Sequence, residues 1–273
     1  MPSDEAFLHD ICEHPDDDAP RLIYADWLDE HGRPERAEFI RVQCTLAAGT
    51  DDAALRRREQ ELLGEHWDDW RQEVPAWARE FCEFRRGFVA AVRCTVGDWL
   101  REGGELVRRV PVEEAAFRPD PSADPAALAA APSLARLRAL ILAYVGLGDA
   151  GAALLLESPF LGRLTELSLA GNGLSGATVA LIAAAPRLAG LVALDLRDNA
   201  LGDDAATTLA ASPHLTGLRT LQMVNTQLGD RGAAALAAGP WRGLTQLYLG
   251  HNHIGDAGAQ ALGRSGPDRK SVV

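Results

Sequence analysis

The sequence predicts an α/β solenoid: stacked strand–helix units, parallel strands inside and helices outside, preceded by a small helical domain. Three observations carry this. A leucine pattern begins anew at residues 137, 164, 191, 218 and 244, a spacing of 27, 27, 27 and 26 residues. A fixed period of roughly 20–50 residues is the signature of a repeat architecture. Each copy opens with a short apolar segment, as in Leu191, Leu194 and Leu196, closed at Asn199, which suits a strand with one buried face. Most copies continue with a Gly-Asp turn, an alanine-rich stretch of helical spacing and a proline.

Composition sets the outer limits. The 273 residues are 47% hydrophobic and 24% charged, ordinary values for a globular chain and enough for one large or two modest domains. A net charge of -12 repels phosphate backbones, so nucleic acid is not an expected partner. The acid gathers at the start, where Arg21 is the only Lys or Arg before Arg33, and reads as solvated helix faces. Cys12, Cys44, Cys82 and Cys94 lie outside the periodic half without CxxC spacing, and read as buried thiols. The acidic start Met-Pro-Ser-Asp-Glu has no signal-peptide character, and no apolar run reaches membrane-spanning length. A reduced, cytoplasmic protein without membrane contact is expected.

Taken in order, residues 4–14 form a short helix, with Asp4 as its cap and Phe7, Leu8, Ile11 and Cys12 as its apolar stripe. Asp16, Asp17 and Asp18 precede a second helix over 20–31, in which Ile23 with Trp27 and Tyr24 with Leu28 stand at i, i+4. Gly32 stops it, and Pro34 starts a third helix running to Leu46.

The run Arg21-Leu-Ile-Tyr-Ala-Asp-Trp-Leu-Asp-Glu-His-Gly32, followed by Arg36-Ala-Glu-Phe-Ile-Arg-Val-Gln43, resembles the bacterial repeat-companion domain. That module stands ahead of repeat arrays, often leucine-rich ones, and implies no activity of its own.

Residues 51–74 form a longer amphipathic helix started by Asp51 and Asp52 and stopped by Pro75, with Leu55, Leu62, Leu63, Trp67 and Trp70 as core. Residues 88–96 alternate as a strand, 98–109 return to helix, and 110–117 are again strand-like. These units are degenerate repeats shielding the end of the array, with Pro119–Pro125 as an irregular loop. The domain boundaries are thus 1–47 helical, 48–87 connector, 88–133 capping repeats, 134–263 clear repeats and 264–273 a polar tail.

Within the clear repeats, Leu167, Leu194, Leu221 and Leu247 point inward on neighbouring strands. Asn172, Asn199 and Asn252 bond turning backbone; Val145 and Thr226 stand in that position and place the regularity of their turns in doubt. Asp149, Asp203, Asp230 and Asp256 cap the helices that follow them. Because helices are about 10 Å wide and strands only about 4.8 Å apart, the stack bends toward its strands. The unit length and helical outer segment resemble leucine-rich repeats of the ribonuclease-inhibitor type. Some arrays of that type activate GTPases through a turn residue.

Strand residues that do not enter the core form the concave face: Ala139, Ile141 and Ala143; Glu166, Ser168 and Ala170; Ala193, Asp195 and Arg197; Thr220, Gln222 and Val224; Gln246, Tyr248 and Gly250. Tyr144, Asp198, Asn225 and His251 follow at the strand ends. The polar members Glu166, Ser168, Asp195, Arg197, Gln222, Asn225, Gln246, Tyr248 and His251 are the candidate partner-binding residues, since Arg and Tyr dominate binding hot spots. His9 and His14 lie five apart, about 140° around a helix, which does not form a metal site. No GxSxG, HExxH or phosphate loop is present. The expected function is therefore a non-enzymatic scaffold, without cofactor or metal, binding a protein partner. The alternatives are an activator of a nucleotide hydrolase, or a binding role for the acidic first domain with the array as spacer.

Overall fold

In the computed structural model, which describes residues 4–241, 243–264 and the backbone of 270–272, the predicted rungs lie side by side. Strands β4 (Ala139–Ile141), β5 (Glu166–Ser168), β6 (Ala193–Asp195), β7 (Thr220–Gln222) and β8 (Gln246–Tyr248) pair parallel. Leu140, Leu167, Leu194, Leu221 and Leu247 are register partners in succession, and all are buried. Burying each such side chain contributes about 1.5–3 kcal/mol. Helices α8 (Gly148–Leu156), α9 (Gly176–Ala184), α10 (Gly202–Ala210), α11 (Asp230–Ala238) and α12 (Asp256–Arg264) follow the rungs and pack on one another in sequence. Their anchors Leu155, Ile182, Leu209, Leu236 and Leu262 are buried as well.

Polar bonds between rungs fix the turns. Asn172 Oδ1 accepts from the Val145 and Leu147 amides of the preceding rung (3.2 and 3.1 Å), and its Nδ2 donates to Leu142 O (2.6 Å). Asn199 serves the Asn172 and Leu174 amides in the same way, both at 3.0 Å. Asn252 serves those of Thr226 and Leu228 (2.9 and 3.0 Å). Each carboxamide therefore works one rung back. The Val145 turn is regular because Asn172 holds it. The Thr226 turn is regular because Asn252 holds it and Thr226 Oγ1 donates to Met223 O (2.9 Å). What threonine cannot supply is a carboxamide for the rung behind: there the Leu201 amide uses the backbone carbonyls of Asn199 and Thr226 (2.9 and 3.1 Å).

The aspartates also act on a neighbour, which corrects the expectation that they cap their own helices. Asp149 accepts from the Ser175 amide and hydroxyl and from Thr178 Oγ1 at the start of α9. Asp203 accepts from the Gly229 and Gly232 amides, and Asp230 from those of Gly255 and Gly258. The loop preceding each helix lies beside the aspartate of the previous unit, so the orphan N–H groups are met across the interface.

Two compact units are present, one of Met1–Cys94 with Arg101–Ala115 and one of Thr95–Leu100 with Ala116–Val273. In the first unit, α1 (Asp4–Glu13), α2 (Ala19–Glu30), α3 (Pro34–Ala47) and α4 (Ala53–Trp70) pack in succession. The core around Ile11, Tyr24, Ala25, Leu28, Ile40 and Cys44 is completed by Phe88. That residue belongs to an unforeseen antiparallel hairpin, β1 (Cys82–Arg85) with β2 (Phe88–Cys94). The three helices α1–α3 that supply this core bury too little surface alone, and the hairpin supplies the rest. Gly87 at its turn has φ +87°, and a Cβ there would meet Ile40 at 2.5 Å. All four cysteines are buried, as expected, and burial pushes the Cys44 thiol up to about 12. Asp4 does not act as a cap; its carboxylate accepts from the Tyr24 hydroxyl and from Arg33 (3.1 Å).

The segment between the hairpin and the regular rungs is α5 (Val96–Asp98), a π-helical turn (Trp99–Gly103), α6 (Gly104–Arg109), β3 (Glu114–Phe117) and α7 (Pro125–Ala129). At the other end the backbone of β9 (Lys270–Val272) pairs parallel with β8, inside the stretch expected as a polar tail. An end strand has an open hydrogen-bonding edge, and pairing satisfies it. The rest of that tail, 265–269 and 273, lies outside the described residues.

Restoring the missing carboxamide is expected to stabilise the stack. Thr226→Asn should raise the free energy of unfolding in urea by about 1 kcal/mol, by supplying acceptors to the Asn199 and Leu201 amides. Asn199→Ala, which strips partners from buried groups on two rungs, should lower it by about 2–4 kcal/mol. No change in either variant would reject the inter-rung account.

Candidate functional site

The strands present a polar cluster on the face away from the helices. Its hub is Asp195, on β6. Asp195 Oδ2 accepts from Ser168 Oγ on the neighbouring rung (2.9 Å) and from Arg197 Nε (3.1 Å), while Arg197 Nη2 stands at 3.0 Å. Asp195 Oδ1 accepts from the Arg197 amide (3.2 Å). Ser168 and Asp195 are buried, whereas Arg197 is exposed. Two rungs thus hold one guanidinium in a fixed orientation at the surface.

The other predicted residues surround this hub less tightly. Glu166 and Gln246 are exposed, and Gln222 and Tyr248 half-buried. Gln246 Oε1 accepts from Thr220 Oγ1 (3.1 Å). Ser168, Asp195 and Ala170 are buried, against the expectation that the whole strand face is open. Ser168 and Asp195 are covered because they bond each other across rungs rather than face solvent; they position Arg197 and offer little surface to a partner.

A second row lies at the strand ends. Tyr144, Gly171, Asp198, Asn225 and His251 occupy the same place in five successive units, and all have positive φ, between 54° and 62°. That left-handed conformation is costly for side-chain-bearing residues. Tyr144 spans the Gly171 rung and donates its hydroxyl to Asp198 Oδ2, and Asn225 Nδ2 donates to Asp198 Oδ1 (2.9 Å). Glycine is required beneath the ring: a Cβ at Gly171 would sit 2.1 Å from Tyr144. The Tyr144 and Asn225 hydrogen bonds hold the Asp198 carboxyl below the usual range, and the bond to Asp198 pushes the Tyr144 phenol up. Sequence reasoning placed Asn225 and His251 among the binding residues and left Tyr144 and Asp198 outside. The available signal was the lone glycine in a row otherwise built of Tyr, Asp, Asn and His.

Among the described residues, no group of three or more His, Cys, Asp or Glu side chains is placed to hold a metal ion, and no helix is long and apolar enough to cross a membrane.

The family described as Leucine Rich repeat matches residues 191–210, 214–237 and 244–263. The chain therefore contains leucine-rich repeats, and the fold is a leucine-rich-repeat solenoid with parallel strands on one side and helices on the other. Among solved structures the chain is similar to internalin C2 of Listeria monocytogenes, with 22% identity over 59% of this chain and 61% of that one, at a TM-score of 0.42. It is also similar to internalin F of the same organism, with 20% identity over 59% of this chain and 40% of that one, at a TM-score of 0.38. The chain thus spans less than two thirds of the length of either. Curated proteins include no match to it.

The row at the strand ends makes a spectroscopic prediction. In an ultraviolet pH titration, with Tyr144→Phe used to assign its signal, Tyr144 should ionise above the ordinary phenol range. Gly171→Ala should displace the ring and return the midpoint to that range. Asp198, its carboxyl pKa lowered in the fold, contributes stability that is in place above the ordinary carboxylate range and lost as pH falls through the lowered value. An unshifted Tyr144 in the wild type would refute the row.

Proposed function

We propose that this chain is a non-enzymatic protein-binding scaffold that engages its partner on the concave strand face. The observation that carries the reading is the Ser168–Asp195–Arg197 cluster. Two rungs fix an exposed guanidinium before any partner arrives, and an ordered side chain loses little entropy on binding. Tyr248 and Gln222 flank it on the following strands. Glu166, Gln246, Asn225 and His251 form the polar border, a common arrangement around a binding hot spot.

In this reading residues 1–47 are a bacterial repeat-companion domain and the array is of the ribonuclease-inhibitor type. The companion resemblance rests on Arg21–Gly32 and Arg36–Gln43, and the array type on unit length and the helical outer segment. The acidic net charge supports a protein rather than a nucleic-acid partner.

Affinity capture from the native extract, using wild type and an Arg197→Ala, Tyr248→Ala double variant, tests the proposal. Some co-purifying protein should fall by about tenfold or more with the variant. Equal recovery of every partner would remove the concave face from consideration. Stimulated GTP or ATP turnover by a captured protein would favour the activator reading instead.

A further inference from the structure

The start of the repeat stack departs from the regular units in one respect that matters chemically. Val145 stands where later units have a carboxamide. Asn172 holds the Val145 turn from one side, but Val145 offers no acceptor to the chain upstream. A cavity of about 190 Å³ lies between the loop after β3 and this rung. Its apolar walls include Val96, Leu128, Leu142, Val145 and Leu147. An apolar cavity of about 150 Å³ accepts a benzene ring, so this one holds a single ring or a short alkyl chain with a small polar group.

The walls are built and rigid. Asp120 binds the loop together, accepting from the Ser122 amide (2.9 Å) and hydroxyl (2.6 Å), and it ties the loop to α5 through the Gly97 amide (3.2 Å). Asp124 caps α7 through the Ala126 and Ala127 amides (2.9 and 3.1 Å), with Pro125 in its first turn. Phe117, the last residue of β3, is buried and packs edge-on against Trp99 at 5.9 Å. That contact fixes where Arg118 leaves the strand.

Arg118 is the only basic residue lining the cavity among the described residues. It is half-buried, and its Nε has no hydrogen-bond partner among the described residues. Burial of an N–H without a partner is unfavourable, and a carboxylate is the ligand group that best relieves it. Asp120 lines the same space, but its oxygens already serve Ser122 and Gly97. Its charge limits the fit to one anionic group. We propose that this cavity is a binding site for a small hydrophobic monocarboxylate, with the apolar body among Val96, Leu142 and Val145 and the carboxylate paired with Arg118. The site is independent of the strand-face reading.

Calorimetric titration of the full chain with benzoate, hexanoate and the neutral benzyl alcohol tests this, together with methyl NMR of Val96, Leu142 and Val145. Benzoate and hexanoate should bind saturably and shift those methyls, with benzyl alcohol about tenfold weaker or more. Arg118→Gln should erase the advantage of the acids, and Val145→Trp should fill the cavity and abolish binding, each checked for folding by circular dichroism. The wild-type measurements decide the matter even if a variant does not fold. No saturable binding, equal affinity for benzoate and benzyl alcohol, or shifts confined to other methyls would each overturn the proposal.

Discussion

The turns at Val145, Asn172 and Thr226 are each held by a neighbour, the unit that follows. The backbone leaving these strands has amides and carbonyls without ladder partners, and the carboxamide of the next unit meets them. Helix starts obey the same rule, with Asp149, Asp203 and Asp230 each serving the following helix. Leucine burial supplies the driving force, but it is indifferent to small displacements. The directional bonds fix register, and register brings Ser168, Asp195 and Arg197 together. The candidate binding cluster is thus a product of the stacking that stabilises the fold.

Much of this was legible from spacing. The leucine period named the strands, because a residue that must be buried in every copy cannot drift in phase. The helices followed from alanine-rich segments ending at Pro159, Pro186 and Pro213. What spacing does not encode is direction across an interface. Asn199 and Asp203 were recognisable as turn and cap residues, yet nothing in one chain says that their partners lie in neighbouring units. The same limit applied to Ser168 and Asp195, which alternation places on an open face and which a mutual bond removes from it.

The first unit was less legible for a different reason. Its helices announce themselves through Pro20, Gly32, Pro34 and Asp52, but their core closes only with Phe88 from the hairpin. Strand β1 is four residues long and carries Glu83 and Arg85 among its apolar positions, so alternation is too brief to read. Arg36 shows the cost of that closure. Its guanidinium pairs with Glu73 and lies within 4.9–5.7 Å of the rings of Phe39, Trp70, Phe84 and Phe88. A buried cation of this kind depends on all its neighbours at once.

The one-rung-back sense of the asparagine bonds gives the array a polarity, like that of a head-to-tail polymer. A tandem copy of residues 191–217 inserted after itself would present a carboxamide to the unit before it and receive the same neighbour after it. Lengthening by gene duplication therefore needs no new interface. Val145, which receives such bonds and returns none, marks where that growth terminates.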